Sequence, residues 1–146
     1  MVINGKFYPV HVSRNTPDAL YYRGRYYETK EELWIAKLLR KMKIPFVHHA
    51  TFEVRIPGCK NPRLWRPDFL FGKPYVWQDY YKPDTVIFGI EVKRTKIKGK
   101  PQTLSDALKE QHGIRIIVIS REILLPWFEA GVLPLEDIEA YDPLAS

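Results

Sequence analysis

Apolar positions recur along this chain with two periods. After Thr29, the residues Ile35, Leu38, Leu39 and Met42 fall at helical spacing. Thr29 with Glu32 three residues later reads as a capping box that opens the helix, and Pro45 ends it. Residues 46–56 alternate instead, with Phe46, Ala50, Phe52, Val54 and Ile56 on one face and His49, Thr51, Glu53 and Arg55 on the other, so they predict a half-buried strand closed by Pro57-Gly58. In such a strand the adjacent His48 and His49 face opposite ways and cannot chelate one ion together. A second strand is expected over residues 63–71, interrupted by Pro67, which implies an edge or a bulge. An aromatic, proline-containing loop follows over residues 72–84. Residues 85–95 predict a strand with Val86, Phe88, Ile90 and Val92 on an apolar face and Ile87, Gly89, Glu91 and Lys93 on the other, where Gly89 leaves open space beside Glu91. Residues 103–112 read as a short helix closed by Gly113, and the run Ile116, Ile117, Val118, Ile119 as a strand buried on both faces. Pro126 and Pro134 each suit the first position of a short C-terminal helix. Near the N-terminus, Asn4-Gly5 and Arg23-Gly24 are turn signals for one or two small hairpins.

The resulting order is helix, three strands, helix, strand, short helices. The first strands can pair as a meander, and the helix between the last two allows a crossover. This predicts an α/β fold with a mixed central sheet flanked by helices. At 146 residues the chain is the size of one domain. It divides into an aromatic and basic arm (residues 1–28), a core (29–120) and a C-terminal segment (121–146).

Charge narrows the choice of partners. Lys and Arg number 23 against 17 Asp and Glu, a net charge of +6 that suits a polyanion such as nucleic acid. Cys59 is the lone cysteine, which excludes an internal disulfide and fits a reducing compartment. No apolar run approaches the roughly 20 residues that span a bilayer. The first residues lack the order of a secretory signal. A cytoplasmic protein without membrane association is expected.

The residues that carry chemistry are Asp68, on a turn after Pro67, and Glu91 and Lys93, two positions apart in a strand and so on one face. If Asp68 ends a neighbouring strand, two carboxylates and an ammonium converge. Paired carboxylates favour a divalent cation, and a nearby lysine can hold a water or a phosphate oxygen, so the set suits metal-assisted phosphodiester hydrolysis. Plainer readings exist: an Asx-turn for Asp68 and an exposed salt pair for Glu91 and Lys93, worth less than about 1 kcal/mol. The capping box already gives Glu32 a structural role. No HxxxH, CxxC or Gly-rich phosphate loop is present, which argues against zinc enzymes and nucleotide-triphosphate motors.

Pro67-Asp68 followed by Glu91-Val92-Lys93 resembles the PD-(D/E)XK nuclease superfamily, the restriction-endonuclease-like fold, and its small phage and mobile-element members in particular. Pro-Asp also occurs at Pro17-Asp18 and Pro83-Asp84, but only Pro67-Asp68 follows a strand pattern and leaves room for a hairpin before Glu91. The opening of the first helix, Tyr27 to Glu32 with Ala36 following, is similar to that of those members as well. The resemblance spans residues 26–120. It implies a Mg²⁺-dependent endonuclease acting on DNA, with Mn²⁺ able to substitute, of the junction-resolvase, homing or restriction type. Asp68 and Glu91 would ligate the metal, the Val92 carbonyl would add a third oxygen, and Glu32 would act as an outer ligand or third carboxylate. Lys93 would position or activate the attacking water. Arg66, Arg94, Lys96, Lys98 and Lys100 would track phosphates; a solvated loop is the plainer reading of the last four. Arg23, Arg25 and the surrounding tyrosines fit a DNA-contacting arm, an edge hairpin or a dimer surface. One site per chain implies a homodimer or higher symmetric oligomer for double-strand cutting. The alternatives are a non-catalytic nucleic-acid-binding module with a nuclease-like fold and a housekeeping α/β domain.

Overall fold

The computed structural model describes residues 2–3, 6–7, 21–79, 82–93 and 100–138. They form an α/β fold whose mixed sheet combines antiparallel and parallel strands with three helices. The two N-terminal hairpins expected from their turn signals are present: β1 (Val2–Ile3) with β2 (Lys6–Phe7), and β3 (Tyr21–Tyr22) with β4 (Arg25–Tyr26). Helix α1 (Lys30–Lys41) begins where the capping box places it, with the Thr29 hydroxyl accepting the Glu32 amide at 3.1 Å. The reciprocal bond is displaced by one residue, because Glu32 Oε2 accepts the amide of Glu28, not that of Thr29, at 3.0 Å. Leu33, Ile35, Ala36, Leu38 and Leu39 bury the inner face of α1.

The stretch expected as one strand over residues 46–56 is two. Strand β5 (Phe46–His48) and β6 (Ala50–Val54) are separated by His49, whose φ of 60° lies in the left-handed region. The chain changes sheet there. Strand β5 pairs with β8 in the main sheet, whereas β6 pairs with β7 (Arg63–Trp65) and, in parallel, with β1 in a smaller one. The return path changes sheet at the matching point: β7 leaves the small sheet, Arg66 to Asp68 cross over, and β8 (Phe69–Asp79) enters the main sheet. Pro67 has no amide hydrogen to continue a ladder, so the break falls where the sequence requires one. The His49 amide donates to the Asp68 carbonyl at 3.2 Å, joining the two crossings.

Residues 72–84 do not form the expected loop. They extend β8 to Asp79 and start β9 (Lys82–Lys93) at Lys82, making a long antiparallel hairpin. The aromatics there are core residues: Tyr75 is 6 % exposed and Trp77 fully buried. A register shift between Leu70 and Tyr75 absorbs extra residues on β8. Strict alternation consequently fails on β9, because Ile87 and Ile90 are both fully buried and belong to the same core cluster. Helix α2 (Lys100–His112), stopped by Gly113 at φ 71°, carries the crossover to β10 (Ile116–Ser120), which lies parallel to β9. The C-terminal expectation of two helices is half right. Helix α3 (Arg121–Ala130) holds Pro126 in its interior and not at its start, and Pro134 precedes a strand, β11 (Leu135–Asp137), that pairs with the far half of β8.

One core, from α1, α3 and one face of the main sheet, contains Leu39, Phe69, Trp77, Ile90, Ile117 and Leu124. A second, smaller one packs Val54, Trp65, Ala107, Leu108 and Ile116 between α2 and the sheets. No helix among the described residues is long and apolar enough to cross a membrane.

Gly89 does not face the open space expected of it. A β-carbon there would lie 2.1 Å from the Phe69 carbonyl oxygen and 2.7 Å from Ile116 Cδ1. Backbone cannot yield as a side-chain tip can, so Gly89→Ala is expected to destabilise the fold by about 3 kcal/mol, the upper end of overpacking costs. Urea unfolding of the variant measures this. A loss below about 1 kcal/mol would contradict the close approach.

Candidate metal centre

Glu91 and Asp68 occupy opposed positions at the start of the β8–β9 pairing, next to the partners Phe69 and Ile90. Their side chains and backbones bond in opposite senses. The Asp68 amide donates to Glu91 Oε2 at 2.8 Å, and the Val92 amide donates to Asp68 Oδ2 at 2.9 Å. Helix α1 brings a third carboxylate: Glu32 is 4 % exposed and Asp68 6 % exposed. Glu32 and Asp68 lie close enough to influence each other's ionisation. Glu32 from a helix, Asp68 from a sheet-changing turn and Glu91 from a strand are thus neighbours.

Two histidines enter the pocket against the sequence expectation. The left-handed backbone at His49 cancels the alternation that would have set His48 and His49 on opposite faces. Their rings instead stack at 3.8 Å between centroids. His49 Nε2 lies 3.8 Å from Glu32 Oε1 and 3.7 Å from Asp68 Oδ1. Glu32, His48 and His49 each offer one donor atom, all within 4.8 Å of one another, a grouping that can hold a metal ion. His48 is 8 % exposed, and its Nε2 has no hydrogen-bond partner among the described residues. The only sequence signal for this pair was histidine itself, which tolerates the left-handed region better than most non-glycine residues.

The other expected residues are placed as follows. Lys93 is the last residue of β9, half-buried and paired in register with Ser120. The Val92 amide donates to Asp68 Oδ2. Arg66 is exposed, two residues before Asp68. Arg94, Lys96 and Lys98 lie outside the described residues, and Lys100 opens α2. Glu31, which sequence alone could not separate from Glu32, is buried too but turns to Arg121, with Oε1 3.6 Å from Nε.

The electrostatics reflect crowding. Burial pushes Asp68 well above the usual carboxylate range, and the neighbouring Glu32 and Glu91 push it the same way. Burial also raises Glu91, against the bond from the Asp68 amide, to about 7. Burial opposes ionisation of Glu32 as well, but contacts with His49 and Asp68 outweigh it and hold Glu32 at about 2. Burial lowers His48 to about 3, so its imidazole is neutral.

These shifts fix a pH dependence. A carboxyl raised in the folded state stabilises it below the unfolded pKa, and that contribution is lost as pH rises through the folded value. For Glu91 the window runs from 4.5 to about 7. His48 acts in the opposite sense but only between about 3 and 6.5. Above pH 6.5 the carboxyls act alone. Metal-free protein should therefore lose stability as pH rises from about 6.5 to 8, at up to about 1.4 kcal/mol per pH unit for each proton released. Glu91→Gln should flatten that slope. Thermal melts in chelator across this range measure it, and a melting temperature that climbs with pH would refute the assignment.

Comparison of the chain with protein-family models, with curated proteins and with solved structures finds no match in any of the three.

Proposed function

We propose that this protein is a divalent-metal-dependent endonuclease that hydrolyses phosphodiester bonds in DNA. The observation that carries the reading is the meeting of Glu32, Asp68 and Glu91 in one buried pocket, with Lys93 two residues beyond Glu91 on the same strand. Crowded, buried carboxylates fit a cation, and so does the Nε2 of His48, which has no hydrogen-bond partner among the described residues. Asp68, Glu91 and Glu32 would hold it. When bound, such a cation supplies charge stabilisation and an acidified water.

The chain's own residues do the rest. The Asp68 and Val92 amides fix the two carboxylates, so neither must reorganise when a substrate arrives. Residues 89–93 pair with β10 in unbroken register, so alternation holds over this stretch and Lys93 shares the face of Glu91, where its ammonium can orient the attacking water or take up charge on a phosphate oxygen. Three acids alone would repel a polyanion, and a bound cation resolves that conflict. A basic cleft would receive the phosphates. Arg23, Arg25, Arg40 and Lys43 line a cleft of ≈ 420 Å³ at the far end of α1. Arg40 lies about 12 Å along the helix axis from Glu32, roughly three to four nucleotide steps of one strand. Cutting both strands takes two such sites, so a symmetric dimer is part of the proposal.

Incubation of supercoiled and branched DNA with the purified protein tests this. Cleavage is expected with Mg²⁺ or Mn²⁺ and none in EDTA. Asp68→Asn should abolish cutting, and Lys93→Ala should slow it by about 10²- to 10⁴-fold. Binding of DNA without cleavage under either metal would favour a non-catalytic binding module, and full activity in Lys93→Ala would remove that lysine from the site.

A further inference from the structure

The distances around His49 do not describe a hydrogen-bonded cluster. Its Nε2 sits 3.7 Å from Asp68 Oδ1 and 3.8 Å from Glu32 Oε1. N–H···O bonds close to about 2.7–3.2 Å, so both contacts are too long. A histidine held by hydrogen bonding would move onto one carboxylate, whereas this one stands almost equidistant from two. Two metal–ligand bonds of about 2.0–2.2 Å opening at 110–125° place their donor atoms about 3.3–3.9 Å apart. The spacing of His49 Nε2 from Glu32 Oε1 and from Asp68 Oδ1 is that of atoms sharing an ion.

The second oxygen of each acid is already engaged. Glu32 Oε2 accepts the Glu28 amide and Asp68 Oδ2 accepts the Val92 amide, so Oε1 and Oδ1 are the atoms turned to His49. His48 adds a buried Nε2 without a partner among the described residues. His49 holds φ 60°, and that conformation is what sets its ring against that of His48.

We infer that Glu32, His48 and His49, with Asp68 beside them, form a nitrogen-bearing site that selects a transition-metal dication (Mn²⁺, Co²⁺ or Zn²⁺) over Mg²⁺. Imidazole suits these ions, whereas Mg²⁺ prefers an all-oxygen shell. The inference rests on the reading of the pocket as a cation site, but not on DNA being the substrate.

Metal-stripped full-length protein titrated with Co²⁺ tests it. Visible d–d absorption reports nitrogen ligation, and paramagnetically shifted imidazole N–H resonances report it in the wild type without any substitution. Calorimetry gives the Mg²⁺ affinity in parallel. Co²⁺ is expected to bind at least about tenfold more tightly than Mg²⁺ and to show shifted imidazole signals. His49→Asn tolerates the left-handed backbone and should weaken Co²⁺ by at least about tenfold while changing Mg²⁺ affinity little. His48→Gln should act in the same direction. Equal affinities for Co²⁺ and Mg²⁺, or a Co²⁺ complex without shifted imidazole signals, would overturn the inference whether or not either variant folds. A histidine-dependent Co²⁺ site in a protein that cuts no DNA would uphold this inference and reject the nuclease. Mg²⁺-driven cleavage without such a site would do the reverse.

Discussion

Two backbone amides hold the pocket together. Asp68 and Glu91 stand opposite each other across an antiparallel pair, where like charges are ordinarily destabilising. Here each carboxylate accepts an amide from the other strand: Asp68 N–H binds Glu91, and Val92 N–H binds Asp68. Side chains thus take over the ladder at the point where Pro67 interrupts it. The exchange fixes the relative position of β8 and β9, and through Phe69 and Ile90 it sets the register of the core beneath. It also orients both acids before any ligand arrives.

The arrangement concentrates carboxyl groups in a buried place. Burial and proximity raise Asp68 and Glu91, while Glu32 stays ionised because His49 and Asp68 face it. A purely structural role would be served more cheaply by uncharged residues of similar size, since buried ionic groups seldom stabilise a fold relative to a well-packed apolar set. Neutral His48 stands between Tyr27 and His49, and its Nε2 has no hydrogen-bond partner among the described residues.

Much of the frame could be read from sequence because local signals agreed with tertiary ones. Thr29 and Glu32 marked the helix start, Gly113 the stop of α2, and the run from Ile116 to Ile119 the doubly buried strand. The misreadings occur where packing overrides local preference. Prolines and aromatics over residues 72–84 resemble a loop, yet Tyr75 and Trp77 gain enough from burial in the main core to extend the hairpin. Pro126 was assigned to a helix start on propensity. The Ser120 cap, which accepts the Ile123 amide, starts α3 five residues earlier and leaves the proline to be accommodated inside.

For the site, the three acids followed from spacing and from their likeness to a known motif, but the histidines did not. Alternation along a strand is a rule about extended backbone, and a single residue in the left-handed region reverses it for everything that follows. His49 is such a residue, and it lies at the point where the chain leaves one sheet for another. Asp68 occupies the matching point on the return strand, and the His49 amide bonds its carbonyl. The pocket therefore forms at the seam between two sheets, where neither ladder constrains the side chains and groups from α1, β5, β8 and β9 can converge. A strand-by-strand reading of sequence finds the carboxylates because they lie at the ends of regular elements. It misses the imidazoles because their approach depends on the irregularity itself.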